Sequence, residues 1–161
     1  MTRTAVFSGS FDPPTWGHVR LIERILPLFD EIIVAIGCNS DKKTLFSTEE
    51  RLELLQLCFQ HLPQIKIKFY SGLTVDFCRQ EKAQYLIRGI RNSIDFEYEK
   101  SMAQLNSDLC STIETVFIVP DAASQNISSS LIRELIKHHG NFQKYLPEQI
   151  KNHTIIKEKI K

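Results

Sequence analysis

The chain has 161 residues, 42% hydrophobic and 24% charged, with a formal net charge of +1 at neutral pH. That length suits a single domain over residues 1–161 with a core that needs neither disulfides nor a structural metal, and so small a net charge removes any global electrostatic case for nucleic acid or membrane binding. No stretch approaches the roughly 18 uninterrupted apolar residues of a membrane span, and residues 1–7 are too short in apolar run for a signal peptide, so a soluble, cytoplasmic protein is expected.

Strand-like and helix-like segments alternate along the chain. Residues 4–8 read as a short buried strand ending at Gly9, and Val19, Ile22, Leu26 and Phe29 recur at helical spacing over 16–29. Ile32, Ile33, Val34, Ala35 and Ile36 form a continuous run closed by Gly37, the pattern of a strand covered on both faces. Ser47-Thr48-Glu49-Glu50 is a capping box, opening a helix with Leu52, Leu55 and Phe59 on one side. Residues 65–70 predict the next strand and 73–80 a short helix after Gly72. Tyr85, Leu86 and Ile87 predict a fourth strand, followed by a helical stripe of Ile94, Tyr98, Met102, Leu105 and Leu109 that reads mainly as core, with a pocket wall and subunit contact as the alternative for part of it. Residues 116–119 predict a fifth strand, stopped by Pro120, and 127–139 an amphipathic helix through Leu131, Leu135 and Ile136. The tail from Pro147 is polar and Lys-rich, with a terminal helix. Cys38, Cys58, Cys78 and Cys110 are scattered, without C-x-x-C or zinc spacing, and read as small reduced apolar side chains.

This alternation implies an α/β fold: a Rossmann-like domain with a parallel five-stranded sheet and helices on both faces. In such sheets ligands sit at the carboxyl ends of the strands, near the switch in strand order. The segments just after the strands are 9–11, 39–43, 71–74, 88–91 and 121–130, and they hold nearly every polar feature of interest.

The first of these loops, Gly9-Ser10-Phe11-Asp12-Pro13-Pro14-Thr15-Trp16-Gly17-His18, is neither G-x-G-x-x-G nor a P-loop. It still suits a phosphate: Gly9 lets the backbone come close, Ser10 offers a hydroxyl, and the following helix presents unpaired N–H groups. His18 falls in the first turn of that helix. Taken singly, these residues read as a turn glycine, a cap and an ordinary histidine. Arg88 and Arg91 flank Gly89 and can fork onto phosphate oxygens, against a competing reading as ion pairs with Asp95, Glu97 or Glu99. Ser128, Ser129 and Ser130 open a helix, although a cap needs only one of them. Lys42 and Lys43 would pass for a solvated pair were they not on the same rim, where one of them can clamp a substrate.

G-S-F-D-P followed by T-W-G-H resembles the nucleotide-binding signature of the adenylyl- and cytidylyltransferases. With K-K-T-L-F-S-T-E-E-R, L-I-R-G-I-R-N-S-I-D-F-E-Y-E and I-S-S-S-L-I-R, the chain is similar to the phosphopantetheine adenylyltransferases from about residue 4 to 147. The R-G-I-R…D-F-E-Y-E block and the lysine loop are the motifs most particular to that family. The resemblance implies reversible transfer of an adenylyl group from ATP to 4′-phosphopantetheine, giving dephospho-coenzyme A and pyrophosphate. It also implies Mg²⁺, a homohexamer, a bacterial cytoplasmic setting and inhibition by coenzyme A.

The same resemblance implies roles for particular residues. His18 would stabilise charge on the α-phosphate, Lys42 and Arg88 would hold the acceptor phosphate, and Ser10 would bond between acceptor and nucleotide. Phe11, Gly89, Ile90, Arg91, Glu99, Ser124, Gln125, Asn126, Ile127, Ser128, Ser129 and Ser130 would surround ATP. Thr74 would line the pantetheine arm, with Met102 and Asn106 beside it. The chain departs from the family pattern at Ser10, where threonine is usual, at Thr74, where an aliphatic residue is common, and at 121–124, which lack an aromatic. Two other functions stay open on the sequence: a sister transferase acting on nicotinate mononucleotide, and a nucleotide-binding regulator without turnover.

Overall fold

The computed structural model describes residues 2–38 and 43–159. Five strands, β1 (Thr4–Gly9), β2 (Glu31–Cys38), β3 (Ile65–Ser71), β4 (Tyr85–Gly89) and β5 (Glu114–Ile118), form one sheet in the order β3-β2-β1-β4-β5. Every neighbouring pair is parallel. The helices are α1 (Trp16–Ile25), α2 (Thr48–Phe59), α3 (Thr74–Gln80), α4 (Ser93–Leu109), α5 (Ser129–Lys137) and α6 (Thr154–Glu158). None of the helices among the described residues is long and apolar enough to cross a membrane.

Helices cover both faces, and the strand sequence shows why. Side chains alternate across a strand, so Ala5 and Phe7 of β1 join one core cluster with α1, α2, α5 and residues near the C-terminus. Val6 faces the other way, into a second cluster with Ile33, Ala35, Leu86 and three residues of α3, Val75, Phe77 and Cys78. The middle five residues of β2 are all buried, as expected of a strand covered on both sides.

Strand order places the site. The chain builds outward from β1 through β2 to β3, then returns to the other side of β1 for β4 and β5. The direction reverses between β1 and β4, so the loops after these two strands diverge and open a crevice. Those loops carry Ser10 and Arg91.

Two elements differ from expectation. In α2 the inward face is Arg51, Leu54, Leu55, Cys58 and Phe59, with Leu52 only half-buried. In α4 the apolar stripe is not core: no residue of the helix is buried, and Ile94 and Tyr98 are 81% and 63% exposed. The second core closes just beyond the helix, on Cys110 and Ile113.

Candidate active site

A cleft of about 550 Å³ lies at the carboxyl ends of the strands, a volume in the range of small-molecule sites. Ser10, Phe11 and His18 border it from the first loop and α1, and Arg88, Gly89, Arg91 and Glu99 from β4 and α4. Thr74 closes it at α3, and Ser124, Ile127, Ser128, Ser129 and Ser130 at the entry to α5. Ile90, Gln125 and Asn126 do not line it. Ile90 is 8% exposed, with its amide bonded to the carbonyl of Ile118, and Gln125 donates its side-chain amide to the carbonyl of Arg91. Lys42 lies outside the described residues; its neighbour Lys43 is exposed and does not line the cleft.

The first loop is held from within. Phe11 has φ 47°, left-handed backbone that costs a non-glycine residue about 1–2 kcal/mol. Its ring offsets that cost by burying almost completely, edge-on to Phe7 at 5.7 Å and to His18 at 5.0 Å. A Cβ on Gly9 would come within 3.1 Å of this ring, so the glycine makes room for it. What Phe11 offers a ligand is backbone, because its side chain belongs to the core.

His18 occupies the third position of α1 and completes a capping box with Thr15. The Thr15 amide donates to Nδ1 at 3.1 Å, and the His18 amide donates to the Thr15 hydroxyl at 3.4 Å. Accepting through Nδ1 leaves the ring proton on Nε2. Burial first, and the nearby Arg91 guanidinium second, push the His18 pKa down to about 3. The ring is therefore neutral at pH 7 and acts as an oriented hydrogen-bond donor rather than a cation.

The two arginines at the end of β4 and just after it differ. Arg88 donates from Nε and Nη2 to both oxygens of Glu99, at 2.7 and 2.5 Å, and from Nη1 to the Ser8 carbonyl and hydroxyl, both at 3.0 Å. Hydrogen bonding to Glu99 raises its pKa despite the opposing effect of burial, the largest single cause. This is a half-buried bidentate pair, unlike the loose surface ion pair weighed from sequence. The Arg91 guanidinium has no hydrogen-bond partner among the described residues and lines the cleft.

At α5 the three serines divide their work. Ser128 caps the helix by accepting from the Leu131 amide, Ser129 donates to the Pro13 carbonyl at 2.8 Å, and Ser130 accepts from Arg133 at 3.2 Å. The hydroxyls are thus committed to structure, and the amides of Ser129 and Ser130 remain unpaired at the positive end of the helix.

Three groups that sequence reading passed over organise or line this site. Asp12, 2% exposed, accepts from the amides of Leu45 and Phe46 and ties the first loop to the loop after β2. Arg51, 4% exposed, donates to the Ser10 carbonyl at 2.7 Å while bonded to Ser47 and Thr48. Arg133 borders the cleft and donates to the Asp12 carbonyl at 2.7 Å. The available signal for Arg133 was spacing, since a cation at i+3 and i+4 from Ser130 and Ser129 shares their helix face. Asp12 and Arg51 act across 33 or more residues of sequence, and nothing local announces them.

Cations, hydroxyls and free helix amides around one cleft define a site for phosphate groups, and Glu99 is the one carboxylate lining it among the described residues. The family model described as cytidylyltransferase-like matches residues 6–135. Proteins named phosphopantetheine adenylyltransferase are similar over nearly the whole chain. That of Flavobacterium johnsoniae is 44% identical over 149 residues, 92% of this chain and 97% of the relative. That of Nautilia profundicola is 41% identical over 150 residues, covering 93% and 97%. The chain belongs to the phosphopantetheine adenylyltransferase family of nucleotidyltransferases. Solved structures share the fold at lower identity. A bifunctional NMN adenylyltransferase/ADP ribose pyrophosphatase from Francisella tularensis superposes with TM-score 0.69 at 17% identity, over 91% of this chain and 45% of its own. A lipopolysaccharide core biosynthesis protein from Thermoplasma volcanium gives 0.57 at 19%, over 75% and 99%.

Proposed function

We propose that this protein transfers the adenylyl group of ATP to the phosphate of 4′-phosphopantetheine, reversibly, giving dephospho-coenzyme A and pyrophosphate. The observation that carries this reading is the convergence of His18, Arg88, Arg91 and Arg133 with the open α5 N-terminus on one cleft. The names of relatives at 41–44% identity support that choice of acceptor.

The acceptor phosphate is already ionised near neutral pH, so its oxygen needs no strong general base. That oxygen bonds to the α-phosphorus as the bond to the β-phosphate bridge breaks in line, and the leaving pyrophosphate keeps the electron pair. Catalysis is then positioning and electrostatic stabilisation, without a covalent enzyme intermediate. His18 donates from Nε2 to an α-phosphate oxygen, and Ser10 bonds between the two substrates. Arg91, Arg133 and the amides of Ser129 and Ser130 take the β- and γ-phosphates. Gly89, Ser124 and Ile127 wall the nucleotide, with Phe11 contributing backbone, while Ile90, Gln125 and Asn126 stand outside the lining of the cleft. Lys42 and Arg88 hold the acceptor phosphate. Glu99 and Ser8 leave Arg88 at least one N–H for this, because five are present and at most four are used.

Mg²⁺ enters with the triphosphate as part of the substrate. Among the described residues no group of three His, Cys, Asp or Glu could cage a cation, and Glu99 is engaged by Arg88. The exposed apolar residues of α4 support a homo-oligomer, a hexamer by family resemblance. Inhibition by coenzyme A and a cytoplasmic setting belong to the same reading. ATP supplied with 4′-phosphopantetheine or with nicotinate mononucleotide, and the product weighed by mass spectrometry, tests the acceptor. Dephospho-coenzyme A is expected from the first mixture; product only from the second would overturn the proposal, as would ATP binding without pyrophosphate release.

A further inference from the structure

We infer that the hydroxyl pair of Tyr70 and Thr74 reads a secondary amide in the arm of the acceptor. The inference rests on the proposal that 4′-phosphopantetheine is that acceptor, since its arm carries such amides. Both residues line the cleft, Tyr70 at the carboxyl end of β3 and Thr74 at the start of α3. This is the side of β1 opposite the loops of β4 and β5. Their oxygens are 2.8 Å apart.

The phenol is fixed from three directions. Its ring stacks on Phe77 at 4.6 Å with 14° between planes. Its oxygen is bonded to Thr74, the first residue of α3. On the neighbouring strand Gly37 leaves the space it needs, because a Cβ there would sit 3.2 Å from the phenolic oxygen. A side chain so held loses little freedom on binding a ligand.

Two hydroxyls carry two protons, and the bond between them uses one. One donor and several lone pairs remain on half-buried atoms at the cleft wall. A donor and an acceptor side by side complement the C=O and N–H of a secondary amide. An aliphatic residue at 74 would supply neither group. The bland alternative is that the two hydroxyls only satisfy each other. It predicts that their removal alters stability and leaves acceptor binding alone.

The test is steady-state kinetics of the full-length enzyme and of Tyr70→Phe, Thr74→Val and the double variant, with ATP and 4′-phosphopantetheine. Each single change should raise KM for the acceptor by about 3- to 10-fold, the loss expected for one neutral hydrogen bond. KM for ATP and kcat should stay within about twofold, and the double variant should be little worse than either single one, because the pair acts as a unit. Acceptors with each amide replaced in turn by an ester give an independent readout. One of them should cost the wild type a similar factor and Tyr70→Phe almost nothing further. Unchanged acceptor KM in both single variants overturns the inference alone. So does an equal rise in KM for ATP, which would mark general disorder of the cleft. Failure of the wild type to adenylylate 4′-phosphopantetheine at all overturns the proposed function and this inference with it.

Discussion

Arg88, near the end of β4, and Arg91, in the loop after it, stand three residues apart, border one cleft, and are used in opposite ways. Arg88 is locked by Glu99 and Ser8, whereas the Arg91 guanidinium has no hydrogen-bond partner among the described residues. The same contrast divides the rest of the site. His18 is oriented by Thr15, while the first amides of α5 stay open because the serines beside them are bound elsewhere. Locked groups aim at a defined atom, and open ones wait for a flexible, highly charged triphosphate. The lesson is that a shared motif does not assign a shared role; the partners each residue finds across the fold do.

The largest break in this comparison is expected at the locked histidine. His18→Ala should lower kcat by about 10²–10³-fold, the usual cost of deleting one oriented donor to a developing oxyanion. Thermal unfolding checks that the fold survives. Near-normal turnover would remove His18 from the chemistry. On the open side, Arg91→Ala should lower kcat/KM for ATP by about 10–100-fold and leave KM for the acceptor within about twofold. A purely structural Arg91 would change neither.

A smaller effect sharpens the contrast. Glu99→Gln keeps the length of the side chain and weakens the lock on Arg88. If Glu99 acts only by orienting Arg88, the change should raise KM for the acceptor by about 3- to 10-fold. KM for ATP should hardly move. The opposite pattern, ATP affected and acceptor spared, would mean that Glu99 touches the nucleotide directly, as the family resemblance implies.

The parallel sheet and its helices were legible because near-continuous apolar strands and 3.6-residue stripes are local properties of sequence. The site was legible as a set of loops for the same reason, since the rule for parallel sheets says where to look. The rest was hidden by distance. Glu99 and Arg88 face each other only because α4 rises beside β4. The Asp12 carboxylate meets the amides of Leu45 and Phe46 only once β1 and β2 pair. Tyr70 looks like an ordinary strand aromatic until α3 brings a hydroxyl to it. The stripe on α4 misled for another reason: apolar periodicity reports a face that wants cover, and it does not say that the same protomer supplies it.

The smallest effect joins the locked and open halves directly, because Arg91 helps to keep His18 neutral. The folded pKa of about 3 lies below the ordinary value of 6.5. The folded state therefore binds this proton less readily than the unfolded chain. The stability that follows is complete above pH 6.5 and is lost progressively as pH falls from there towards 3. Urea unfolding of wild type and of His18→Asn, which cannot titrate, isolates the effect. Between pH 7 and 5 the wild type should lose about 1–2 kcal/mol more than the variant. In an Arg91→Ala background the difference should shrink without vanishing, because burial is the larger cause and the guanidinium the smaller. Complete loss of the difference on removing Arg91 would reverse that order and make His18 a group held neutral by charge.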